Sequence, residues 1–240
     1  MSKLTDVLVS GTLANVVFYR RMGTNCVRIK RESIKQTEAT KKRGINFGIA
    51  ARAGKGLRAG LSEVMPIPSD RKAQNRLSGA IAKWLGQSDI AGLQTNNDIP
   101  YVSQLAFAGD KGFYSRCKVA MQVSTSREGV TRLTIPAMIP VKDISAPANT
   151  LALKIIFAVS ACLLPGGESA GHQTHSLEIP YNQVEIPAMV FDFAVPAPPK
   201  SLTVMAARLV YYQSSGPLTI EIDNPAFAAA GIIAGWYRQD

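Results

Sequence analysis

His172 and His175 are the only histidines in the 240-residue chain, and at three residues apart a single helical turn would aim both at one metal ion. In an extended strand the same pair would face opposite ways, because strand side chains alternate. Glu168 lies nearby, but no third strong ligand stands at a recognisable spacing, and the glycines and polar residues around the pair read as a surface loop. Gly54-Lys55-Gly56, preceded by Gly48, falls short of a phosphate-binding loop, which needs a glycine five residues before the Gly-Lys and a Ser or Thr after it. Here the spacing is six, the next residue is Gly56, and the site would lie within a helix. Any Ser-His-Asp triad would have to lean on His172 or His175. Glu221 and Asp223 would share a strand face, as a carboxylate pair for acid–base work must, yet this is also the ordinary solvated charge of a sheet edge. Cys26, Cys117 and Cys162 are odd in number and lack any Cys-x-x-Cys spacing, so they read as reduced thiols rather than a disulfide framework or a zinc site. The expectation is no catalytic residue, no metal and no cofactor.

The charge is more informative. Residues 1–83 hold 17 Lys or Arg against 5 Asp or Glu, whereas the remaining residues hold 10 basic and 12 acidic side chains. The whole positive excess therefore lies in the first third, which should attract phosphates, anionic head groups or an acidic protein face.

The elements that would present this charge follow from periodicity. Val16 to Arg20 and Cys26 to Lys30 read as two strands joined at Met22-Gly23, the second placing Arg28 and Lys30 on one face. Phe47, Ala50, Gly54, Leu57, Leu61 and Met65 then recur at helical steps, with Arg52, Lys55 and Arg58 displaced from them, until Pro66 and Pro68 end the helix. Ser69 or Asp70 is placed to cap a second helix with Ala73, Leu77, Ile81 and Trp84 inward and Arg71, Lys72 and Lys83 outward. Internal glycine weakens a helix by about 1 kcal/mol relative to alanine. The pairs Gly44/Gly48 and Gly56/Gly60, one turn apart, are spaced for close approach of another backbone and are the expected assembly interface.

Residues 86–112, rich in Gly, Asn and Pro, read as an irregular connection. Beyond it come seven apolar or alternating runs: Phe113–Val123, Val130–Ile139, Leu151–Leu164, His175–Ile179, Val184–Phe193, Ser201–Tyr212 and Gly231–Tyr237. Seven short strands in this length are the pattern of a β-sandwich. The expected fold is therefore α+β: an N-terminal β-hairpin and two basic amphipathic helices in residues 1–90, a connection over 91–112, and an antiparallel, immunoglobulin-like β-sandwich in 113–240. The Cys-Trp-Cys pattern of antibody domains is missing, so the term describes architecture only. Asp6, Ser10, Thr12 and Asn15 interrupt any signal-peptide core, and the longest apolar stretch, Ile155–Leu164, is far short of the ~20 residues that cross a bilayer. The chain is expected to be made as a cytoplasmic protein without a membrane span, and to stay there or enter a released particle or filament.

The run Gly11-Thr12-Leu13-Ala14-Asn15-Val16-Val17-Phe18-Tyr19, then Val27-Arg28-Ile29-Lys30, then Thr37-Glu38-Ala39 leading into Arg43-Gly44-Ile45-Asn46-Phe47, resembles a family of uncharacterised bacterial proteins. The resemblance covers about the first 60 residues. It implies a glycine-opened hairpin, a basic helical stretch and a β-sandwich tail, with no activity attached.

Two functions fit. One is a non-enzymatic structural subunit of a homo-oligomer, filament or particle, whose partner is itself and whose basic segment makes the inter-subunit contacts through Gly44, Gly48, Gly56 and Gly60. The alternative is a nucleic-acid-binding module that holds phosphates with Arg28, Lys30, Arg52, Lys55 and Arg58, although no finger or helix-turn-helix signature accompanies them.

Overall fold

The computed structural model describes residues 11–21, 24–30, 36–65, 71–87, 93, 98–103, 105–107, 112–126, 129–215 and 218–240. The chain divides into two compact units, Met1–Lys41 and Lys42–Asp240. The fold is α+β, with three antiparallel sheets and few helices.

The first unit holds a three-stranded sheet of β1 (Gly11–Leu13), β2 (Val16–Arg21) and β3 (Thr24–Ile29), in that order. Two strands are expected here, and the third arises because Ala14, at φ 52°, turns Gly11–Leu13 back along β2. The expected turn at Met22-Gly23 lies outside the described residues. Register pairs Leu13 and Ile29 with Val16, and Gly11 and Val27 with Phe18, so five apolar side chains share one face. On the other face lie Val17 with Arg28 and Tyr19 with Cys26. The unit ends in the first residues of α1 (Glu38–Gly60), where the Thr37 hydroxyl accepts the amide of Thr40 at 3.3 Å, as an N-cap does.

In the second unit the large sheet runs β10 (Leu218–Glu221), β9 (Ser201–Ser215), β6 (Ala152–Leu163), β7 (Ser169–Pro180), with β11 (Ala229–Arg238) also on β9. The small sheet is β4 (Gln122–Thr125), β5 (Val130–Ile135), β8 (Met189–Ala194). Strand β6 shows why the large sheet has two cores. Leu153, Ile155, Phe157, Val159 and Ala161 point to one side and pack with Leu133, Ile135 and Phe193 of the small sheet. Ala158 and Cys162 point to the other, where they pack with Ala50, Ala53 and Leu57 of α1 and Leu77 and Ile81 of α2 (Arg71–Leu85). A strand buried on both faces reads as a continuous apolar run, which is how Leu151–Leu164 stands out.

Helix α2 buries the expected Ala73, Leu77, Ile81 and Trp84. Its proposed caps Ser69 and Asp70 lie outside the described residues. The stripe of α1 is rotated from the expected one. Phe47 is 60% exposed, while Asn46, Ile49 and Ala53 join Ala50, Gly54 and Leu57 inside. The rotation is possible because Asn46 Nδ2 donates to the Leu85 carbonyl at 3.2 Å, satisfying the buried amide. Gly54 meets Ser78, whose Oγ would lie 2.7 Å from an added Cβ, so the two helices cross closely there.

Several strands differ from expectation. Phe113–Val123 is mostly a 3-10 turn at Phe113–Ser115 followed by irregular chain, β7 begins well before His175, and the short strand β10 was not expected. The connection contributes to the core rather than separating two cores. Ile99, Val102 and Phe107 are buried, and Ile99 and Phe107 donate their amides to Gly235 and Ala230, closing the outer edge of β11. The two helices and the β-rich part therefore form one compact unit from Lys42 onward, in place of a division within 91–112.

Candidate interaction surfaces

Arg28 and Lys30 are exposed in the first unit, with the Arg28 guanidinium 6.0 Å from the Tyr19 ring centroid. Arg52, Lys55 and Arg58 follow α1 at helical steps of three. Arg52 Nε donates to the Pro165 carbonyl at 3.3 Å, and burial lowers the pKa of Arg58, which remains far above neutrality in any protein. The five basic residues thus divide between the two units, and two of the three on α1 are partly engaged with the chain's own fold.

The glycines divide as well. An added Cβ at Gly44 would meet nothing within 4 Å, and at Gly48 only the Arg52 guanidinium at 3.8 Å. At Gly56 it would overlap the Gly167 carbonyl oxygen and lie 3.2 Å from Cys162 Cβ. At Gly60 it would overlap His172 Cβ and lie 2.7 Å from Ser160 Oγ. Gly56 and Gly60 are therefore the seat of α1 on the β6–β7 hairpin of the same chain, fixed further by Ser160 Oγ, which donates to the Leu57 carbonyl at 3.0 Å. Of the four residues expected at an assembly interface, Gly44 and Gly48 alone leave space for a neighbour.

His172 and His175 lie within β7, not in a loop, opposite Ser160 and Phe157 of β6, and so on opposite faces. His172 faces α1, whereas His175 packs edge-on against Phe193 with centroids 4.8 Å apart. They cannot share a metal ion, and among the described residues no group of three His, Cys, Asp or Glu could hold one. Sequence reasoning missed Gly167-Glu168-Ser169-Ala170-Gly171, which has the Gly-x-Ser-x-Gly spelling of a hydrolase nucleophile elbow. That elbow needs a strand-to-helix turn, but here Ser169 opens β7 after a hairpin turn and makes no hydrogen bond to either histidine. Glu221 accepts from Arg208 Nη2 at 3.3 Å, a sheet-edge ion pair. Tyr211, Trp236 and Tyr237 are buried, the Tyr211 hydroxyl donating to the Ser145 carbonyl at 3.0 Å, and Tyr212 is half-buried.

Burial also decides the thiols, raising the pKa of Cys117 to about 11 and of Cys162 to about 12. Since the thiolate is the reactive form, both should be inert near neutral pH. In the folded protein a disulfide reagent at pH 8 is expected to label Cys26 alone, and all three thiols in denaturant. Rapid native labelling of Cys162 would mean that α1 does not cover it.

No protein-family model, curated protein or solved structure matches the chain. The exposed side chains themselves supply the remaining chemistry. Leu13, Val27 and Ile29 on the apolar face of the first unit are 70%, 62% and 72% exposed, beside four basic residues and no acidic one in residues 11–30. Among the described residues no helix is long and apolar enough to cross a membrane.

Proposed function

We propose that this chain is a non-enzymatic structural subunit that assembles with copies of itself into an oligomer, filament or particle, its basic N-terminal sheet making contacts between subunits. The observation that carries this reading is the apolar face formed by Leu13, Val16, Phe18, Val27 and Ile29. A three-stranded sheet needs such a face covered to be stable in water. Here Leu13, Val27 and Ile29 stand exposed, and Val16 and Phe18 are only partly covered. The packing of the small sheet on the large one supports an immunoglobulin-like sandwich as the body of the subunit, with the helices as a third layer. The resemblance of the first 60 residues to uncharacterised bacterial proteins belongs to the same reading.

The test is the mass of the purified protein by size-exclusion chromatography with light scattering, followed by electron microscopy. Species of several subunits are expected, free of nucleic acid by absorbance ratio. A strict monomer would defeat the proposal. A salt-sensitive complex with nucleic acid, lost on neutralising Arg28 and Lys30, would favour the phosphate-binding alternative. A hydrolytic turnover abolished by Ser169→Ala or His172→Ala would show an enzyme instead.

A further inference from the structure

The large sheet is closed at β11, where the amides of Ile99 and Phe107 meet its outer side, but at its other border β7 is hydrogen-bonded to β6 alone. The partners of β7 fix which of its backbone groups face outward. Pro180, which has no N–H, stands opposite Ala152, and the Tyr181 amide donates to the Leu151 carbonyl. The residues turned toward β6 are therefore Gly171, Gln173, His175, Leu177 and Ile179. The N–H and C=O groups of His172, Thr174, Ser176 and Glu178 point away from the sheet, and no backbone group among the described residues pairs with them. An open edge of this kind templates the addition of another strand, and proteins ordinarily blunt it with lysine, proline or a short strand. Strand β7 is 12 residues long, and from Ser169 to Ile179 it carries neither lysine nor proline.

We infer that β7 of one copy pairs antiparallel with β7 of a second copy about a two-fold axis, joining two large sheets into one. Residues that exchange hydrogen bonds across such a pair must both face outward, and here the strand supplies both sides. With the axis at His175, Thr174 falls opposite Ser176 of the second copy and His172 opposite Glu178 of the second copy, and each pairing occurs twice. Hydroxyl pairs and an imidazole beside a carboxylate are favourable cross-strand neighbours. Moving the axis by one residue sets Ser176 on itself with Thr174 on Glu178, or Thr174 on itself with His172 on Ser176, and neither register brings the imidazole to the carboxylate. His172, Ser176 and Glu178 are exposed, and Glu178 keeps its side chain 71% accessible beside Lys154. On the other face of the strand Gln173 lies across from Leu177 of the second copy, and the two His175 side chains flank the axis. The occupant is a second copy because one register of the strand against itself satisfies the backbone ladder and the side-chain pairs together. The same surface serves both copies, so this contact closes at two. It goes beyond the assembly reading, which places a contact on the N-terminal sheet, and shares with it only the identity of the partner.

The contact is read by silencing the N-terminal sheet in the full chain. Val27→Lys with Ile29→Lys, which charges the exposed apolar face of that sheet, is expected to leave a dimer in sedimentation velocity. Adding Ser176→Pro removes one outward N–H from each copy without touching the ladder to β6, a position where an edge strand tolerates proline. It is expected to raise the dimer dissociation constant at least about tenfold with the circular dichroism unchanged. A second arm fixes the register and does not depend on that proline. Directly opposed residues lie about 5.5 Å apart between Cα atoms, within reach of a disulfide. With Cys26→Ser in both chains, Thr174→Cys and Ser176→Cys should give a disulfide-linked dimer under mild oxidation when mixed, and neither should do so alone. A monomeric wild type overturns both this contact and the assembly reading. A wild type that assembles while the Val27→Lys, Ile29→Lys variant is monomeric overturns this contact alone. So does a folded Ser176→Pro variant that dimerises undiminished, or a cysteine mixture that gives no linked dimer. Assembly unchanged by Val27→Lys with Ile29→Lys but lost with Ser176→Pro would instead defeat the N-terminal contact and uphold this one.

Discussion

Gly56→Ala and Gly60→Ala are each expected to destabilise the folded chain by about 3 kcal/mol, the upper part of the range for overpacking a close-packed site. At Gly56 the added methyl would meet the backbone carbonyl of Gly167, which cannot step aside as a flexible side chain would. Gly167 is itself held at φ 84° against the backbone of Arg52, so the two chains touch through glycine on both sides. At Gly60 the obstacle is the Cβ of His172, equally close to the backbone. Gly44→Ala supplies the internal comparison. Nothing lies within 4 Å of its added methyl, so the helix-propensity gain of about 1 kcal/mol should appear as increased stability. Urea denaturation with an unchanged slope would measure all three. If Gly56→Ala matched Gly44→Ala in sign, α1 would not be seated on the β6–β7 hairpin.

The second large effect concerns residues 113–240 expressed alone. Their strand runs suggest an independent sandwich, but the structure gives the opposite expectation, because one face of the large sheet is covered by α1 and α2. Removing them uncovers Ala158, Cys162, Leu202, Val204, Ala206 and Ile232, all of them fully or almost fully buried in the whole chain. An apolar area of this kind rarely stays exposed on a soluble monomer. The fragment is expected to aggregate, or to bind a hydrophobic dye strongly and unfold without a cooperative transition, whereas residues 36–240 should unfold in one step. A soluble 113–240 fragment with a sharp thermal transition and no dye binding would show that the helical layer is dispensable.

These expectations also show what the sequence could carry. The inner stripe of α2 was legible because Leu77, Ile81 and Trp84 are large and apolar at helical spacing. The phase of α1 was only partly so, since its inward face sets Ile49 and Leu57 among Ala, Gly and Asn, and Phe47, its largest apolar residue, points outward. Strands β6 and β9 were legible as long apolar runs. The polar stretch from Ser169 to Ser176 was hidden, because a strand whose partner supplies the apolar side chains can itself read as a loop. The glycine pairs raised a subtler ambiguity. Their spacing announces that another backbone comes near, but whether it belongs to the same chain depends on Gly167 and His172, more than a hundred residues away, and no local pattern encodes that.

The seat of α1 has a further consequence in time. Leu57 and Ser160, which share a hydrogen bond, are separated by 103 residues, and Arg52 and Pro165 by 113. At ordinary synthesis rates, roughly 5–20 s pass between the appearance of the helix and that of the hairpin it rests on. Through that interval a glycine-rich helix has little intrinsic tendency to hold its form. Helix α1, with Arg52, Lys55 and Arg58, therefore leaves the ribosome before its docking surface has been translated. Its ordering is gated by the arrival of β6 and β7, so the rate at which those strands pair governs how long the segment stays open to the polyanions around it.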